Sequence, residues 1–270
     1  MKYGLRGHDL GRRTPEDVAL FKDLGYDCVQ LVFHKLILGI ESFDDCIGKD
    51  ITDTILKNCQ ERHLEIASVG CYQDLANPEA ESYNLNIYRK YAKLACAINA
   101  HYLGTESAFV AITNEEIAKR RKQLLKIAPK ICAIAQEEGV TLLLEPVRLQ
   151  PLHCPELCLE ILHSVPKNTL KFIFDPTNLV LNTEIETQAK LWDLWFENQE
   201  LCDHIAMIHF KDFSFDEKGN RIMSRLNHGN IHWHNLKNKF KRLTNIEYAI
   251  REAQSTPYIQ EELTFMKQFF

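Results

Sequence analysis

Short, nearly unbroken apolar runs recur eight times along this sequence, each separated from the next by a longer stretch with helical spacing. A strand that is apolar on both faces has to be covered on both faces, which a parallel sheet under helices provides. The runs are Lys2 to Leu5, Tyr26 to Val32, Leu64 to Val69, Tyr102 to Gly104, Val140 to Leu144, Leu170 to Phe174, Ile205 to Ile208 and Ile246 to Ile250. Between them, Thr14-Pro15-Glu16-Asp17 has the chemistry of a helix start, with Thr14 as N-cap, and Gly25 of its end. Further helices are expected over Ile51 to Arg62, Leu85 to Ile98, Glu115 to Glu138, Pro155 to Leu162, Thr187 to Asn198 and Pro257 to Phe269. Pro129 predicts a kink or a division of the fourth of these segments. Eight βα units in 270 residues predict an α/β fold, a TIM (β/α)8 barrel, in which residues 1–270 form a single domain. No Gly-x-Gly-x-x-Gly or phosphate-loop pattern follows any of the runs, which counts against an open nucleotide-binding sheet.

No stretch is long and uncharged enough for a membrane span, and the charged N-terminus, Met1 to Asp9, does not resemble a signal peptide. A cytoplasmic protein with no membrane partner is therefore expected. The nine cysteines lack Cys-x-x-Cys pairing and read as reduced thiols. A net charge of −5 without a basic run argues against a nucleic-acid partner. Self-association into a homo-oligomer is left open.

In a barrel the chemistry comes from the C-terminal ends of the strands. Here Leu144 runs into Glu145, Phe174 into Asp175, Ile208 into His209, and Ile250-Arg251 into Glu252. Buried carboxylates are costly unless paired, hydrogen-bonded or metal-bound, so three of them beside an imidazole point to one divalent metal ion. Three carboxylates and a nitrogen favour manganese or cobalt over calcium, with magnesium and zinc also compatible. Each residue alone has a plainer reading: Asp175-Pro176 also suits a helix start, His209 a core histidine and Glu252 a solvated surface.

The segments Leu144-Glu145-Pro146, Phe174-Asp175-Pro176-Thr177-Asn178, His209-Phe210-Lys211-Asp212 and Gly229-Asn230-Ile231-His232-Trp233 resemble the xylose-isomerase-like barrel superfamily. That superfamily groups sugar isomerases and epimerases, dehydratases and endonuclease IV enzymes. The order Glu, Asp, His, Glu is most similar to the metal set of its ketose 3-epimerase branch. The resemblance implies that Glu145 and Glu252 bind metal and also exchange protons with the substrate carbon, through a metal-bound enediolate. It thus implies a metal-dependent isomerase or epimerase acting on a small carbohydrate or sugar phosphate. A dehydratase of inosose or dehydroshikimate type is the alternative, and a non-catalytic sugar-binding barrel comes further behind. Two departures bear on this. Asn178 stands where many relatives have a histidine, and can serve as a substrate contact but not as a proton shuttle. Arg221 and Met223 fall where the endonuclease IV pattern places metal ligands, which argues against a nuclease.

Other candidates lie at the expected mouth. His8 and Glu106 are expected to contact substrate, ahead of Gln30, Cys71 and Tyr72. Arg148, Lys211, Arg221 and Arg225 supply cations able to bind phosphate or carboxylate. The run His228 to His234 matches no structural zinc spacing, and Trp233 is expected to pack beneath the loop it ends.

Overall fold

Alternation of side chains along each parallel strand builds two apolar layers, one inside a closed ring of strands and one between that ring and its helices. The computed structural model describes residues 1–108, 113–254 and 256–270. Its strands are β1 (Lys2–Arg6), β2 (Cys28–Leu31), β3 (Glu65–Gly70), β4 (Tyr102–Glu106), β5 (Thr141–Glu145), β6 (Leu170–Phe174), β7 (Ile205–Phe210), β8 (Asp212–Phe215), β9 (Arg221–Ser224) and β10 (Tyr248–Arg251). Strands β1 to β7 and β10 pair in parallel and close, with β10 between β7 and β1. The predicted (β/α)8 barrel is thus present, and all eight predicted runs contribute a strand.

Leu143, Ile173, Met207 and Ile250 pack with Cys28, Ala67, Tyr102 and Tyr248 in the inner layer. Their strand neighbours Leu142, Leu144, Phe172, Phe174, Ile208 and Phe210 belong to the outer layer against the helices. The inner layer leaves so little room at Gly4 that a Cβ there would lie 2.6 Å from Cys28 Sγ. Residues two beyond an inner-layer position also face inward, so Glu145, Asp175, His209 and Glu252 crown one inner layer.

Several local expectations are corrected. The first helical segment is a 3-10 helix, Glu16–Leu24, and no side chain caps it, so Thr14 contributes only its carbonyl, to Asp17 N. Asn114–Glu137 is one helix with Pro129 inside it, not two segments. The stretch after Thr187 is two helices, Gln188–Glu197 and Gln199–His204, where one was expected. The antiparallel hairpin of β8 and β9 was not anticipated, because its apolar residues alternate over only four positions per strand. No helix among the described residues is long and apolar enough to cross a membrane.

Candidate metal centre

Each inward residue at the crown is carried by a different strand end. Glu145 is the last residue of β5, His209 lies within β7, and Glu252 follows β10. Asp175 follows β6 and begins the short helix Pro176–Leu179. Its Oδ1 accepts hydrogen bonds from Thr177 N at 2.8 Å and Asn178 N at 3.3 Å, so the helix-start reading of Asp175-Pro176 also holds. One ligand atom from each of the four residues lies within 4.8 Å of the others, and all four side chains are buried.

The polar atoms facing the centre are incompletely satisfied. Asp175 Oδ2 and both ring nitrogens of His209 are buried without a hydrogen-bond partner among the described residues. His209 Nδ1 nevertheless sits 3.0 Å from Glu252 Oε2 and 3.4 Å from Glu145 Oε2. Buried orphans of this kind are rare and costly in a folded protein. A divalent cation among them would accept the imidazole lone pair and the free carboxylate oxygens, so the donor set fits a metal.

Two protein cations already lean on the cluster. Lys211 Nζ lies 2.7 Å from Glu252 Oε1, 3.7 Å from Asp175 Oδ2 and 3.4 Å from Asn178 Oδ1. Arg6 also donates to Glu252 Oε1 and to Asp9. Glu145 instead has a neutral donor, Asn178 Nδ2, at 2.5 Å from its Oε1. The electrostatics follow. Burial alone would raise Glu252, but Lys211, Arg6 and His209 hold it well below the usual carboxylate range. Burial pushes Asp175 up to about 7 against the pull of Lys211. Burial would lower His209, yet Glu145 and Glu252 raise it to about 10. Burial and the neighbouring Glu145 likewise raise Glu106 to about 8, so the clustered carboxyls disfavour one another's ionisation, and a divalent ion would reverse that.

Above the cluster lies a cavity of about 210 Å³ lined by Arg6, His8, Lys35, Tyr72, Glu106 and the two glutamates, Glu145 and Glu252. Residues 18–269 match the family model described as the xylose isomerase-like TIM barrel. The chain belongs to this family. No curated protein matches it. Among solved structures, an IolI protein with a bound zinc atom shares its fold at TM-score 0.74 and 14% identity, over 100% of this chain and 96% of that one. A D-tagatose 3-epimerase-like protein does so at 0.75 and 15%, over 100% and 97%. A probable 3-DHS dehydratase, AsbF of Bacillus anthracis, does so at 0.71 and 18%, over 99% of each.

Within this xylose isomerase-like barrel, the expected contact residues divide. His8 and Glu106 line the cavity, and Asn178 and Lys211 touch the four-residue cluster itself. Burial, then Arg6 and Lys35, lower His8 to about 3, so it faces the cavity as a neutral ring. Arg148 pairs with Glu184 at 3.0 Å, and Arg221 donates to Asn182 Oδ1 and to the carbonyls of Thr177 and Val180. Both line a neighbouring cavity, not the one above the glutamates. Arg225 turns away to Glu261 and lies over the Tyr258 ring. Gln30 donates to the Tyr72 hydroxyl at 3.0 Å, and Cys71 is fully buried. Arg221 and Met223 are in β9, and His228, His232 and His234 join no metal-competent group among the described residues.

Arg6, Lys35 and Gln150 were missed by the sequence reading. Arg6 was legible in principle, because it stands two residues after the inward Gly4 on β1. Gln150 donates to Glu106 Oε2 at 2.5 Å from the loop after β5, and no periodicity reaches a loop residue.

The two family-like segments after β7 turn out to be partners. Asp212 accepts from Phe213 N, Asn227 N, Gly229 N, Ile231 N and the Trp233 indole at 2.9 to 3.2 Å. A Cβ on Gly229 would fall 2.2 Å from Asp212 Oδ1, so only glycine lets the loop close on that carboxylate. Trp233 packs beneath, stacked on Phe210 at 4.8 Å.

Proposed function

We propose that this barrel is a manganese-dependent isomerase or epimerase of a sugar or sugar phosphate. The observation that carries the reading is the convergence of four buried ligands within 4.8 Å, with Asp175 Oδ2 and His209 Nε2 left without a hydrogen bond among the described residues. A divalent ion held by Glu145, Asp175, His209 and Glu252 supplies Lewis-acid polarisation of a substrate carbonyl, which makes the adjacent C–H acidic. Cobalt, magnesium or zinc suit the same mixed oxygen and nitrogen set, though manganese fits it best.

The protein's own groups account for the rest. Glu145 borders the cavity and is oriented by the Asn178 amide, so it takes the proton from the substrate carbon. Glu252 borders the same cavity; it rests ionised beside Lys211, Arg6 and His209, so it takes up a proton from water before it returns one to the substrate carbon. Lys211 and Arg6 fix the Glu252 carboxylate and offset the charge that develops on a substrate oxygen nearby. Asp175 and His209 hold the ion without entering the proton transfer. His8 and Glu106 contact hydroxyls of the bound sugar.

The test is a panel of ketoses and ketose phosphates incubated in deuterated water with manganese and read by mass spectrometry. Carbon-bound deuterium should appear in at least one of them. Glu145→Gln should slow that incorporation by about 10²–10⁴-fold with manganese still bound, the usual contribution of a general base. Full exchange by the metal-loaded variant would show that Glu145 is not the base.

One observation favours a dehydratase as the second reading. Lys211 and Arg6 share Glu252 Oε1, whereas Glu145 faces only His209 and the neutral Asn178 amide, and an elimination needs only one carboxylate base. Loss of water with a new conjugated-enone absorbance would support it over the isomerase.

A further inference from the structure

The loop after β5 separates two cavities. The one above the glutamates has about 210 Å³, the space of roughly seven waters, enough for one small polyol and little more. The second has about 560 Å³, within the range of small-molecule sites. It begins one side chain away from the reaction centre. Asn178, which donates to Glu145, lines it, and so does Gln150, which donates to Glu106.

The character of this second cavity is set by its walls. Val147, Leu149, Val180 and Leu181 supply apolar surface, and Leu149 is 48% exposed. Its two arginines are already engaged. Arg148 is paired with Glu184, while Arg221 donates to Asn182 and two carbonyls and lies over the Phe213 ring at 3.8 Å. A phosphate would have to break those contacts to be bound, whereas an apolar group would cover Leu149 and leave them intact.

We infer that the substrate is a sugar or polyol bearing an uncharged, apolar substituent, such as an aryl or alkyl ether or glycoside, and that this substituent occupies the second cavity. The inference rests on the first cavity being the reaction site. It makes this cavity the part of the protein that selects among substrates sharing one reacting end.

The test compares D-fructose, its 1-O-benzyl and 6-O-benzyl ethers and D-fructose 6-phosphate as substrates of the manganese-loaded protein in deuterated water. At least one benzyl ether should show a KM about tenfold below that of D-fructose, because it buries additional apolar surface. Thr183→Trp, at an exposed position on the cavity wall, should abolish that advantage and leave D-fructose unchanged. Leu149→Asp should act in the same direction, and unchanged manganese affinity and melting temperature verify that both variants fold. The inference is overturned if the benzyl ethers are no better than D-fructose, if the phosphate is preferred, or if the advantage survives both variants. Should no sugar exchange, calorimetry separates the two readings. Tighter benzyl-ether binding that Thr183→Trp abolishes keeps the subsite and removes the isomerase, while absence of any such preference removes the subsite.

Discussion

At Asp175 one carboxylate oxygen caps a helix and the other has no hydrogen-bond donor among the described residues, so a single side chain can serve both the backbone and an ion. Without a metal, that second oxygen adds negative charge beside Glu145 and Glu252, and burial raises the carboxyl toward neutrality. Asp175→Asn keeps an oxygen for the cap and removes the charge. The metal-free variant should therefore melt at or above the parent's temperature while binding manganese at least about 100-fold more weakly, beyond the 10–100-fold typical of outer-sphere changes. Calorimetric melting and manganese titration check both parts, and a lower metal-free melting point with undiminished affinity would contradict them. The sequence showed that these four residues follow apolar runs, and inward parity makes that pattern meaningful. It did not show that Arg148 and Arg225 would find carboxylates of their own, because Glu184 and Glu261 lie 36 residues further along the chain in each case.

Among the elements, the β8–β9 hairpin and the loop after it converge on one buried carboxylate, with Glu262 and Gln188 holding Leu226 and His232 beside it. Asp212 gathers five N–H groups from residues 213 to 233. Removing it leaves those donors facing an apolar wall formed in part by Phe210 and Trp233. Asp212→Ala should cost about 3 kcal/mol or more, the range for breaking a buried charge-assisted network, and read out as a lower urea midpoint. Gly229→Ala should destabilise through the same contact, from the opposite side. The sequence made His209-Phe210-Lys211-Asp212 and Gly229-Asn230-Ile231-His232-Trp233 recognisable separately. Their pairing is a tertiary fact, since 17 positions separate Asp212 from Gly229.

For the whole molecule, the four candidate ligands come from the ends of β5, β6, β7 and β10, so an ion held among them would tie together half of the barrel's strands. Anything that binds only the folded state stabilises it by mass action, about 4 kcal/mol at 1,000 times Kd. At roughly 2–4 °C per kcal/mol for a chain near this size, saturating manganese should raise the melting temperature by about 8 °C or more over chelated protein. The same addition to Asp175→Asn, about 10 times its Kd at 100-fold weaker affinity, should give no more than about a third of that shift. An equal rise in both proteins would mean that manganese stabilises the fold from some other place.

The sequence by itself determined the barrel and the inward placement of Glu145, Asp175, His209 and Glu252, because strand period and helix spacing are local properties and inward parity carries over from one strand to the next. Only the tertiary structure decided the rest: that Arg6 and Lys211 share Glu252 while Asn178 holds Glu145, that Asp212 closes the loop at Gly229, and that the mouth divides into two cavities. Each of these joins residues from loops or from distant strands. Their contacts depend on where loop backbones lie in space, and no periodic pattern along the chain encodes that.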